Sequence, residues 1–573
     1  MSDPRTPRDA ALARRTGRRL WRGMVHWFDP RLLLRTLFAL IVARLFAVYA
    51  DRRERDLGLP CDGPYRYDAG EEFWIDYVAD LGDGWDSTAT VAGVLAADSL
   101  RVGDETLPHG RVLVMGGDQA YPVASRDEYL ARLEAPYYSL HPYSPDDRPR
   151  DLFVLPGNHD WYDGLAAFSR LFMQQRWFAG WRTRQSRSYF ALQLPQRWWL
   201  LAVDVQLEND IDTAQRDYLL AATAAMQPGD RVVLASAVPF WLEAAGSKLR
   251  RNLAFLERKL VDERGGRVYL SLAGDQHHYA RYAADDGDQR ITAGGGGAFL
   301  HGTAWLPREL HDGDRRWQRE QAWPSPAASR LALWRLFAFP FYNPSFALLL
   351  GVLATLLLWG ADAASHGMYF ASAAYAAPDA GVLLGGLLSA LPSSPVFAAS
   401  LAGWFAAFVA FADRPARGPA WLRARLRTVL GLVHGLLQLS LAVCVVALVL
   451  PSRTLDPLAF IATLATLAAW LAIGSGLLFG GWIWITFQVF GCHRDIAWSA
   501  CRIPDWKNFL RLRVAADGTL TVYVIGIRKV CQRWMGTAPA SANGPVVAPA
   551  DGRPLASRAM LVERIVIRPD GDG

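Results

Sequence analysis

The feature that most constrains this chain is a series of long apolar stretches in its second half. Each stretch approaches or exceeds the ~20 residues that an α-helix needs to cross a bilayer. The stretches lie near Phe341–Gly360, Val396–Ala412, Val429–Leu450 and Leu458–Phe490. The segment FALLLGVLATLLLWG has no polar face, which disfavours the alternative of buried helices in a soluble domain. We therefore predict a transmembrane helical bundle over residues 321–490, whose last stretch forms one long helix or two short ones.

The charges between these stretches predict the orientation of the bundle. The segment Ala361–Pro395 contains no Lys or Arg, whereas the segment Arg414–Arg427 contains five arginines. Loops rich in Lys and Arg remain on the cytoplasmic side of a membrane. The five cysteines are scattered and predict no disulfide framework, which fits a reducing compartment. We therefore predict a multi-pass protein of the cell membrane whose soluble parts are cytoplasmic.

The net charge of +6 comes mainly from the N-terminus. Met1–Arg22 holds seven Arg and two Asp, a charge of +5, which leaves about +1 for the rest of the chain. The next apolar segment, LLLRTLFALIVARLFAVYA from Leu32, contains Arg35 and Arg44. We predict a basic tail and an interfacial helix over residues 1–55, with a poorly formed transmembrane span as the alternative. Such a tail suits anionic lipid headgroups, and no nucleic-acid partner is expected.

Residues 56–320 have the pattern of a soluble α/β domain. Short apolar runs of strand length alternate with helical stretches such as GLAAFSRLFMQQRWF. The runs are RVLVMGG, DLFVLPG, WWLLAVD, RVVLAS and RVYLSLAG. After the bundle, residues 491–573 contain FLRLRVAADGTLTVYVIGI, which alternates apolar and polar residues around Asp517-Gly518. This alternation predicts a C-terminal β-hairpin region.

Polar residues cluster at the ends of four predicted strands, where open α/β sheets place their sites. The clusters are VADLGDGWD with Asp80, VMGGDQAYP with Asp118, LPGNHDWYDG with Asn158 and His159, and LAGDQHHYARY with Asp275 and His277. Carboxylates, an amide oxygen and imidazoles suit divalent cations such as Mn, Fe, Zn or Mg. Each cluster alone is more often a turn, a helix cap or a satisfied core histidine.

Together, the order and spacing of the clusters resemble those of the calcineurin-like metallophosphoesterases, of the membrane-anchored bacterial type. The resemblance covers about Tyr65–Thr303, and GNHD after an apolar strand is its most specific element. AVDVQLENDIDTAQRDYL and ITAGGGGAFLHGT are similar to two further segments of that family. The resemblance implies a four-layer α/β/β/α sandwich with two divalent metal ions, or only one, in its loops.

The resemblance also implies a role for each candidate metal ligand. Asp118 would bridge the two metal ions, Asp80 and His277 would bind the first, and Asn158 would bind the second. Asp275 stands where the family has a histidine and would be a further ligand.

Two more residues would take part in the chemistry. The resemblance implies that His159 donates a proton to the leaving group or stabilises the phosphoryl oxygens, while Asp160 orients its ring. Aromatic residues beside the clusters would line a substrate pocket, with ordinary packing as the default interpretation. These residues are Tyr121, Trp161, Tyr162, Tyr279 and Tyr282.

Three positions depart from the family pattern. Gly82 stands where the family has a histidine, Ser236–Val238 offers no imidazole after an apolar strand, and Asp275 replaces the first histidine of Gly-His-x-His. Each metal ion would lose an imidazole, so that an oxygen-rich site favours Mn or Mg over Zn. The available substitutes are Asp83, Asp86, Asp275 and His278. A single-metal or inactive site is the alternative.

These observations predict a membrane-anchored hydrolase of phosphoric esters that uses a metal-activated water. The substrate would be a phosphomonoester, a phosphodiester or a lipid-linked diphosphate, with a membrane-associated substrate favoured over a soluble one. A catalytically degenerate binding or regulatory protein is the first alternative. A transporter is the second, disfavoured because the bundle holds few ionisable residues beyond His434.

Overall fold

The computed structural model of the protein describes residues 21–38, 41, 63–68, 72–141, 150–205, 210–364, 380–449, 457–537 and 545–568. The chain divides into two compact units. The first consists of Met1–Val25, Thr36–Pro326 and Arg502–Gly573, and the second of His26–Arg35 and Ala327–Cys501. Residues 30–38 are helical; most of the predicted basic tail and the remainder of the predicted interfacial helix, apart from residue 41, lie outside the described residues.

The described part of the first unit contains the strands of two large sheets and of two small two-stranded sheets, which confirms the predicted mixed α/β class. In chain order the strands are β1 Tyr65–Arg66, β2 Glu72–Val78, β3 Ser99–Val102, β4 Glu105–Pro108, β5 Val112–Met115, β6 Arg150–Val154, β7 Trp177–Phe178, β8 Trp181–Thr183, β9 Phe190–Gln193, β10 Trp198–Val203, β11 Arg231–Ser236, β12 Arg267–Ala273, β13 Tyr279–Ala284, β14 Gln289–Ala293, β15 Glu309–Asp312, β16 Arg315–Trp323, β17 Lys507–Ala515, β18 Leu520–Ile527, β19 Trp534–Gly536, β20 Val547–Pro549 and β21 Ala559–Ile567.

The small sheets are β3-β4 and β19-β20, and one large sheet has nine strands in the order β1-β9-β10-β11-β12-β14-β13-β16-β15. The other has eight strands in the order β21-β18-β17-β2-β5-β6-β8-β7. The five apolar runs identified in the sequence all form strands of these sheets, as β5, β6, β10, β11 and β12. The strands β2, β5 and β6 are parallel neighbours, as are β10, β11 and β12, so the carboxyl ends of each set meet at one sheet edge.

The helices of the first unit flank these sheets. They are α1 Trp85–Ala96, α2 Arg126–Tyr129, a π-helical turn Leu130–Glu134, α3 Ala135–Leu140, α4 Ala166–Phe172, α5 Thr213–Ala222 and α6 Lys248–Leu260, with 3-10 turns at Asp160–Asp163, Thr223–Ala225, Phe240–Leu242, Asp262–Arg264 and Leu555–Arg558. The predicted helix in GLAAFSRLFMQQRWF ends early, at Phe172, and Trp177–Phe178 is a strand. Gln175 between them has a left-handed backbone (φ 50°), which an α-helix cannot contain.

Alternating residues of the strands face two different hydrophobic cores. In β5, Val112 and Val114 pack between the two sheets, whereas Leu113 and Met115 pack under α1, α3 and α4. A third core lies between the nine-stranded sheet and the helices α5 and α6. This is the period of two that a pleated strand imposes. The first unit therefore has helices on the outer face of each of two sheets that pack against one another.

The second unit is helical and apolar. After the helix at 30–38, it contains α7 Pro326–Ala332, a 3-10 turn Leu333–Ala338, α8 Phe339–Tyr342, α9 Pro344–Ala364, α10 Ala380–Ser393, α11 Pro395–Phe411, α12 Ala420–Val449, α13 Pro457–Phe490 and α14 Arg494–Cys501. Among its described residues, three helices are long and apolar enough to cross a membrane, which supports the predicted membrane-spanning character. The last apolar stretch is one continuous helix of 34 residues.

The C-terminal region contributes to the fold of the first unit. The predicted hairpin around Asp517-Gly518 is present as the antiparallel pair β17 and β18. The sequence predicts residues 491–573 as a separate region, but Leu510–Ala515 of β17 pair with β2. The alternating pattern identifies the hairpin because it is local, while the partner of its edge lies more than 400 residues away and leaves no local signal.

Candidate metal centre

The predicted metal-binding residues follow the ends of four strands. Asp80 comes two residues after β2, and Asp118 three residues after β5. Asn158 lies four residues after β6, and Asp275 and His277 follow β12. Because β2, β5 and β6 are adjacent and parallel, their carboxyl ends place the first three loops side by side.

The hydroxyl of Tyr121 lies at the centre of this cluster. Its oxygen is 3.0 Å from Asp80 Oδ1, 3.2 Å from Asp118 Oδ2 and 3.1 Å from His277 Nε2. Three predicted ligands therefore point at one position, which a phenol oxygen occupies. The sequence pattern predicts Tyr121 only as a pocket-lining or packing residue. Its position three residues after Asp118, in the same loop, was the available signal.

His277 presents its second ring nitrogen to the carboxylates. Its Nδ1 donates a hydrogen bond to the carbonyl of Phe299 (2.8 Å), which leaves Nε2 unprotonated and 3.8 Å from Asp80 Oδ1. Metal-binding histidines usually have their other ring nitrogen fixed by a carbonyl or carboxylate in this way. The ring also stacks on His301, with centroids 3.9 Å apart. His301 accepts a hydrogen bond from the His277 backbone, so it supports His277.

The carboxylates of the cluster repel one another. Burial, and then the charges of Asp118 and Asp275, hold the pKa of Asp80 well above its usual range. Burial and the charge of Asp275 raise the pKa of Asp118 to about 7, although a hydrogen bond from the His159 backbone amide opposes the rise. A bound cation would relieve this repulsion.

The backbone is strained where these carboxylates project. Asp80, Asp118 and Asp275 all have left-handed conformations, with φ of 59°, 46° and 64°. Such conformations are uncommon for residues with a side chain and concentrate at functional sites. The loops hold the three side chains in place by their packing against neighbouring loops.

Gly157 shows how tightly these loops pack. A Cβ at this position would lie 2.1 Å from Asp118 Oδ1 and 2.4 Å from Asp118 N. We predict that Gly157→Ala displaces Asp118 and lowers the free energy of unfolding by about 1–3 kcal/mol. Thermal unfolding of the full chain in detergent measures the loss. Gly246→Ala, where a Cβ meets nothing within 4 Å, is the matched control and should change stability little. Equal stabilities of the two variants would show that the loop yields freely.

Asp160 does not have the role that the sequence predicts. The ring of His159 is held by the carbonyl of Pro122, which is 2.7 Å from Nδ1. Asp160 is buried and accepts hydrogen bonds from the backbone amides of Gly157 (2.8 Å) and Gln119 (3.2 Å) and from the hydroxyl of Tyr129. Its carboxylate therefore ties the loop after β6 to the loop after β5. Sequence adjacency to His159 suggested a contact that the turn geometry does not make.

The positions that depart from the family pattern have structural explanations. At Gly82, a Cβ would lie 2.4 Å from the carbonyl oxygen of Gln119, so an imidazole has no room there. The predicted substitute Asp83 uses both carboxylate oxygens, for the backbone amides of Val25 (2.8 Å) and Phe299 (3.0 Å). Asp86 accepts a hydrogen bond from the Trp534 indole (3.0 Å). These two carboxylates stabilise the surrounding loops.

The residues implied for a second metal ion are less complete. The Asn158 side chain is hydrogen-bonded to Tyr162. Ala237 lies against Gly117: a Cβ added to Gly117 would be 3.1 Å from the Cβ of Ala237. The position where the family has an imidazole is therefore next to the cluster, and an alanine occupies it. Asp275 is half-buried and donates its backbone amide to Asp80 Oδ1 (3.1 Å).

A buried lysine from the C-terminal hairpin also lies near the cluster. Lys507, at the start of β17, is fully buried and donates a hydrogen bond to the carbonyl of Ala298. Burial lowers its pKa to about 8, and the charges of Asp83, Asp505 and Asp80 oppose the fall. Lys507 is not among the residues that the sequence predicts for this site, because nothing local shows that the C-terminal strands reach it.

Two observations bear on whether the cluster suits a metal ion. The buried Asp80 Oδ2 has no hydrogen-bond partner among the described residues, and the unprotonated His277 Nε2 lies 3.8 Å from the other oxygen of this carboxylate, Oδ1. In the described part of the chain, however, no group of three or more His, Cys, Asp and Glu side chains has the spacing of a metal site. The Tyr121 hydroxyl separates the ligands. By its chemistry, the donor set of Asp80, Asp118 and His277 fits one divalent cation, which would bind beside or displace this hydroxyl.

Comparisons with known proteins assign no family. No family model matches the chain, and no curated protein matches it.

Proposed function

We propose that the protein is a membrane-anchored, metal-dependent hydrolase of phosphoric esters. The observation that carries the proposal is the convergence of Asp80, Asp118 and His277 on one position, from strained loops at the ends of separate strands. The order of helices, sheet, sheet and helices in the first unit supports the metallophosphoesterase sandwich as its fold. The GNHD segment lies in the loop after β6, as the resemblance requires.

The residues of the cluster divide into those that hold a cation and those that handle protons. A bound divalent cation supplies a water of lowered pKa and neutralises charge on the phosphoryl oxygens. Asp80, Asp118 and His277 would hold the first ion, and Asp118 with Asn158 and Asp275 the second where two bind.

His159 is suited to proton transfer. Burial lowers the pKa of its ring, so the ring is neutral near pH 7, and its Nδ1 hydrogen points to the Pro122 carbonyl. Nε2 is then a proton acceptor in the resting site. A proton taken up there becomes available to the leaving oxygen.

Hydrolysis of an aryl phosphate ester tests this function. The full chain in detergent is stripped with a chelator and assayed on p-nitrophenyl phosphate and bis-p-nitrophenyl phosphate, with and without added Mn²⁺. Turnover that depends on the cation supports the proposal. Absence of turnover with Mn, Mg, Fe and Zn would favour the second candidate below.

The second candidate is a catalytically degenerate binding or regulatory protein of the same fold. Ala237, beside Gly117, supplies no imidazole where the family has one, and this observation favours it. Such a protein would bind phosphate esters without turning them over.

The raised carboxylate pKa values predict how metal binding depends on pH. Because the folded-state pKa of Asp118 is about 7, the folded metal-free chain binds more protons than the unfolded chain between about pH 4 and 7. Its stability therefore falls as the pH rises through this range. A cation competes with those protons, so it should stabilise the protein more at high pH.

The expected effect is large enough to measure by thermal unfolding. Mn²⁺ at about 100 times its dissociation constant at pH 8 stabilises the fold by about 2.7 kcal/mol. At about pH 5 the affinity falls about a hundredfold, and the same Mn²⁺ concentration stabilises by about 0.4 kcal/mol. If Mn²⁺ stabilises the protein equally at both pH values, or still stabilises Asp118→Ala, the metal binds elsewhere.

The connection between the sheets and the bundle supports four membrane crossings. Strand β2 precedes the bundle and β17 follows it, and the two are hydrogen-bonded neighbours. Both ends of the bundle must then lie on one side of the membrane, which requires an even number of crossings. Three helices of the described ranges are long enough, so we propose α11 as the fourth. Its 17 residues span roughly 26 Å, near the lower limit for a bilayer.

Cysteine labelling tests this topology and the cytoplasmic orientation. We predict that a cysteine at Arg417, in the arginine-rich loop, reacts with a membrane-impermeant maleimide only after cells are opened. A cysteine at Ser365, between the first two apolar stretches, should react in intact cells. The background is a variant with the native cysteines replaced. The reverse pattern would contradict the cytoplasmic placement of the candidate site.

The membrane anchor favours a membrane-associated substrate. Large apolar side chains near Arg330 and Arg335 remain exposed before the first span, such as Trp334 and Phe341, at 56% and 71%. This pattern is typical of a segment at the membrane surface. We therefore propose a lipid-linked phosphoester or diphosphate as the substrate class and anionic lipid headgroups as partners.

A further inference from the structure

A cavity of about 420 Å³ lies in the first unit, between α2, the π-helical turn and α4. Its volume is in the range of sites for small molecules. The charged and polar side chains that line it are Arg126, Tyr129, Glu134, Asp163, Arg170 and Arg176. We call it the arginine cavity.

The three arginines of this cavity carry more positive charge than its carboxylates offset. Within the described ranges, Arg126, Arg170 and Arg176 make no ion pair. Arg126 and Arg170 are exposed, and Arg176 is anchored by donating its Nε hydrogen to the carbonyl of Leu171 (3.2 Å). Three guanidinium groups at one cavity offer the forked donors that phosphate oxygens accept.

The two carboxylates of the cavity offset only part of this charge. Asp163 accepts hydrogen bonds from the backbone amides of Ala166 and Ala167, both at 2.9 Å, and so caps the start of α4. Glu134 is buried, at 6% exposure. Three guanidinium groups against two carboxylates leave a positive excess at the cavity, with Asp163 already engaged by the helix.

The floor of the cavity is connected to the loop of the candidate metal centre. Tyr129, which is buried, donates a hydrogen bond to Asp160. Asp160 in turn accepts from the amides of Gly157 and Gln119. A change at Tyr129 therefore reaches two loops that carry predicted metal ligands through one carboxylate.

We propose that the arginine cavity binds a small molecule bearing a phosphate group, and that binding is coupled to the loop Gly157–Asp160 through Tyr129. The site is separate from the proposed metal centre and does not depend on it. The cavity is too small for a folded protein or a duplex, and its arginines suit a doubly charged phosphate better than a single carboxylate. The phosphate belongs either to a soluble compound or to a lipid headgroup.

Calorimetric titration with inorganic pyrophosphate tests the binding. The full chain in detergent carries Asp118→Ala and is kept in chelator, so that the metal centre takes no part. We expect saturable binding that weakens more than about tenfold when Arg126, Arg170 and Arg176 are all changed to Ser. A triple change of Arg101, Arg251 and Arg258 to Ser removes the same charge from exposed positions elsewhere and should leave the affinity within about twofold.

A variant that keeps every charge provides a second test. Ala167→Trp fills the cavity and should also weaken pyrophosphate binding more than about tenfold. Unchanged circular dichroism shows that the variants remain folded. No binding to the parent chain, equal losses in the two triple variants, or full affinity in Ala167→Trp would each overturn the proposal.

Two further arms identify the source of the phosphate and test the coupling. If the ligand is a lipid headgroup, phosphatidylcholine vesicles that contain phosphatidic acid should compete with pyrophosphate, and vesicles of phosphatidylcholine alone should not. If the ligand is a soluble compound, neither kind of vesicle should compete. Pyrophosphate should slow hydrogen exchange at the Gly157 and Gln119 amides, and Tyr129→Phe should remove that slowing while binding persists. Unaltered exchange on binding would overturn the coupling.

Discussion

Replacement of Asp118 by alanine is expected to lower phosphoester hydrolysis more than about a hundredfold. Loss of a residue that only supports a metal ligand costs about 10–100-fold, and Asp118 is proposed as a direct ligand of both ions. Its Oδ2 lies 3.2 Å from the Tyr121 hydroxyl on which the other ligands converge. The assay is turnover of an aryl phosphate ester by the full chain with Mn²⁺.

Asp285→Ala is the matched control for this variant. Asp285 is exposed and lies in the turn between β13 and β14, away from the cluster. The control should keep the parent rate. Full activity in Asp118→Ala would show that hydrolysis takes place at another site.

The second large effect is expected at the junction between the C-terminal hairpin and the rest of the first unit. Arg511 on β17 is fully buried and makes a two-pronged ion pair with Asp76 on β2, at 2.7 and 3.0 Å. It also donates to the carbonyl of Leu107 (3.1 Å). Arg511→Ala leaves the Asp76 charge in the core without its ion-pair partner and should lower the free energy of unfolding by about 3–5 kcal/mol.

Two variants separate the lost ion pair from lost packing. Asp76→Leu combined with Arg511→Leu removes both charges and should cost less than Arg511→Ala alone. Arg513→Ala, in the same strand, loses a partly exposed pair with Glu72 and a contact with the Trp74 ring, and should change stability by about 1 kcal/mol or less. Chemical unfolding followed by tryptophan fluorescence measures all three. If Arg511→Ala is as stable as Arg513→Ala, the hairpin does not stabilise the sheet in this way.

The elements that local pattern determines were predicted well. The runs that form β5, β6, β10, β11 and β12 are short and apolar, and their alternate residues face two cores. The apolar helices of the bundle were equally clear, because nothing but a membrane or a large core accepts a helix without a polar face. Both signals lie within one element and need no knowledge of its partners.

Pairings between distant segments were not accessible in the same way. Asp76 and Arg511 are 435 residues apart, and neither strand sequence identifies the other as its neighbour. The same limit explains why Lys507 was missed at the candidate site. Contacts of this kind depend on register across a sheet, which the hydrophobic pattern of one strand does not determine.

The candidate site shows the same division. The positions of Asp80, Asp118 and His277 after strand ends were predicted, and the structure brings them within reach of one hydroxyl. The partners of Asp160 and the ring orientation of His159 were not, because a turn decides them. The candidate metal ligands could be predicted from the sequence, whereas the hydrogen-bond partners of Asp160 and His159 could be seen only in the structure.

Metal analysis of the purified protein tests the central claim most directly. The full chain, expressed with Mn and Fe supplied and purified without chelator, is measured by elemental mass spectrometry beside Asp118→Ala and Asp285→Ala. The account predicts at least about one divalent ion per chain in the parent and in Asp285→Ala, and a nearly metal-free Asp118→Ala. A parent chain without bound metal, or an Asp118→Ala variant that retains the full content, would contradict it.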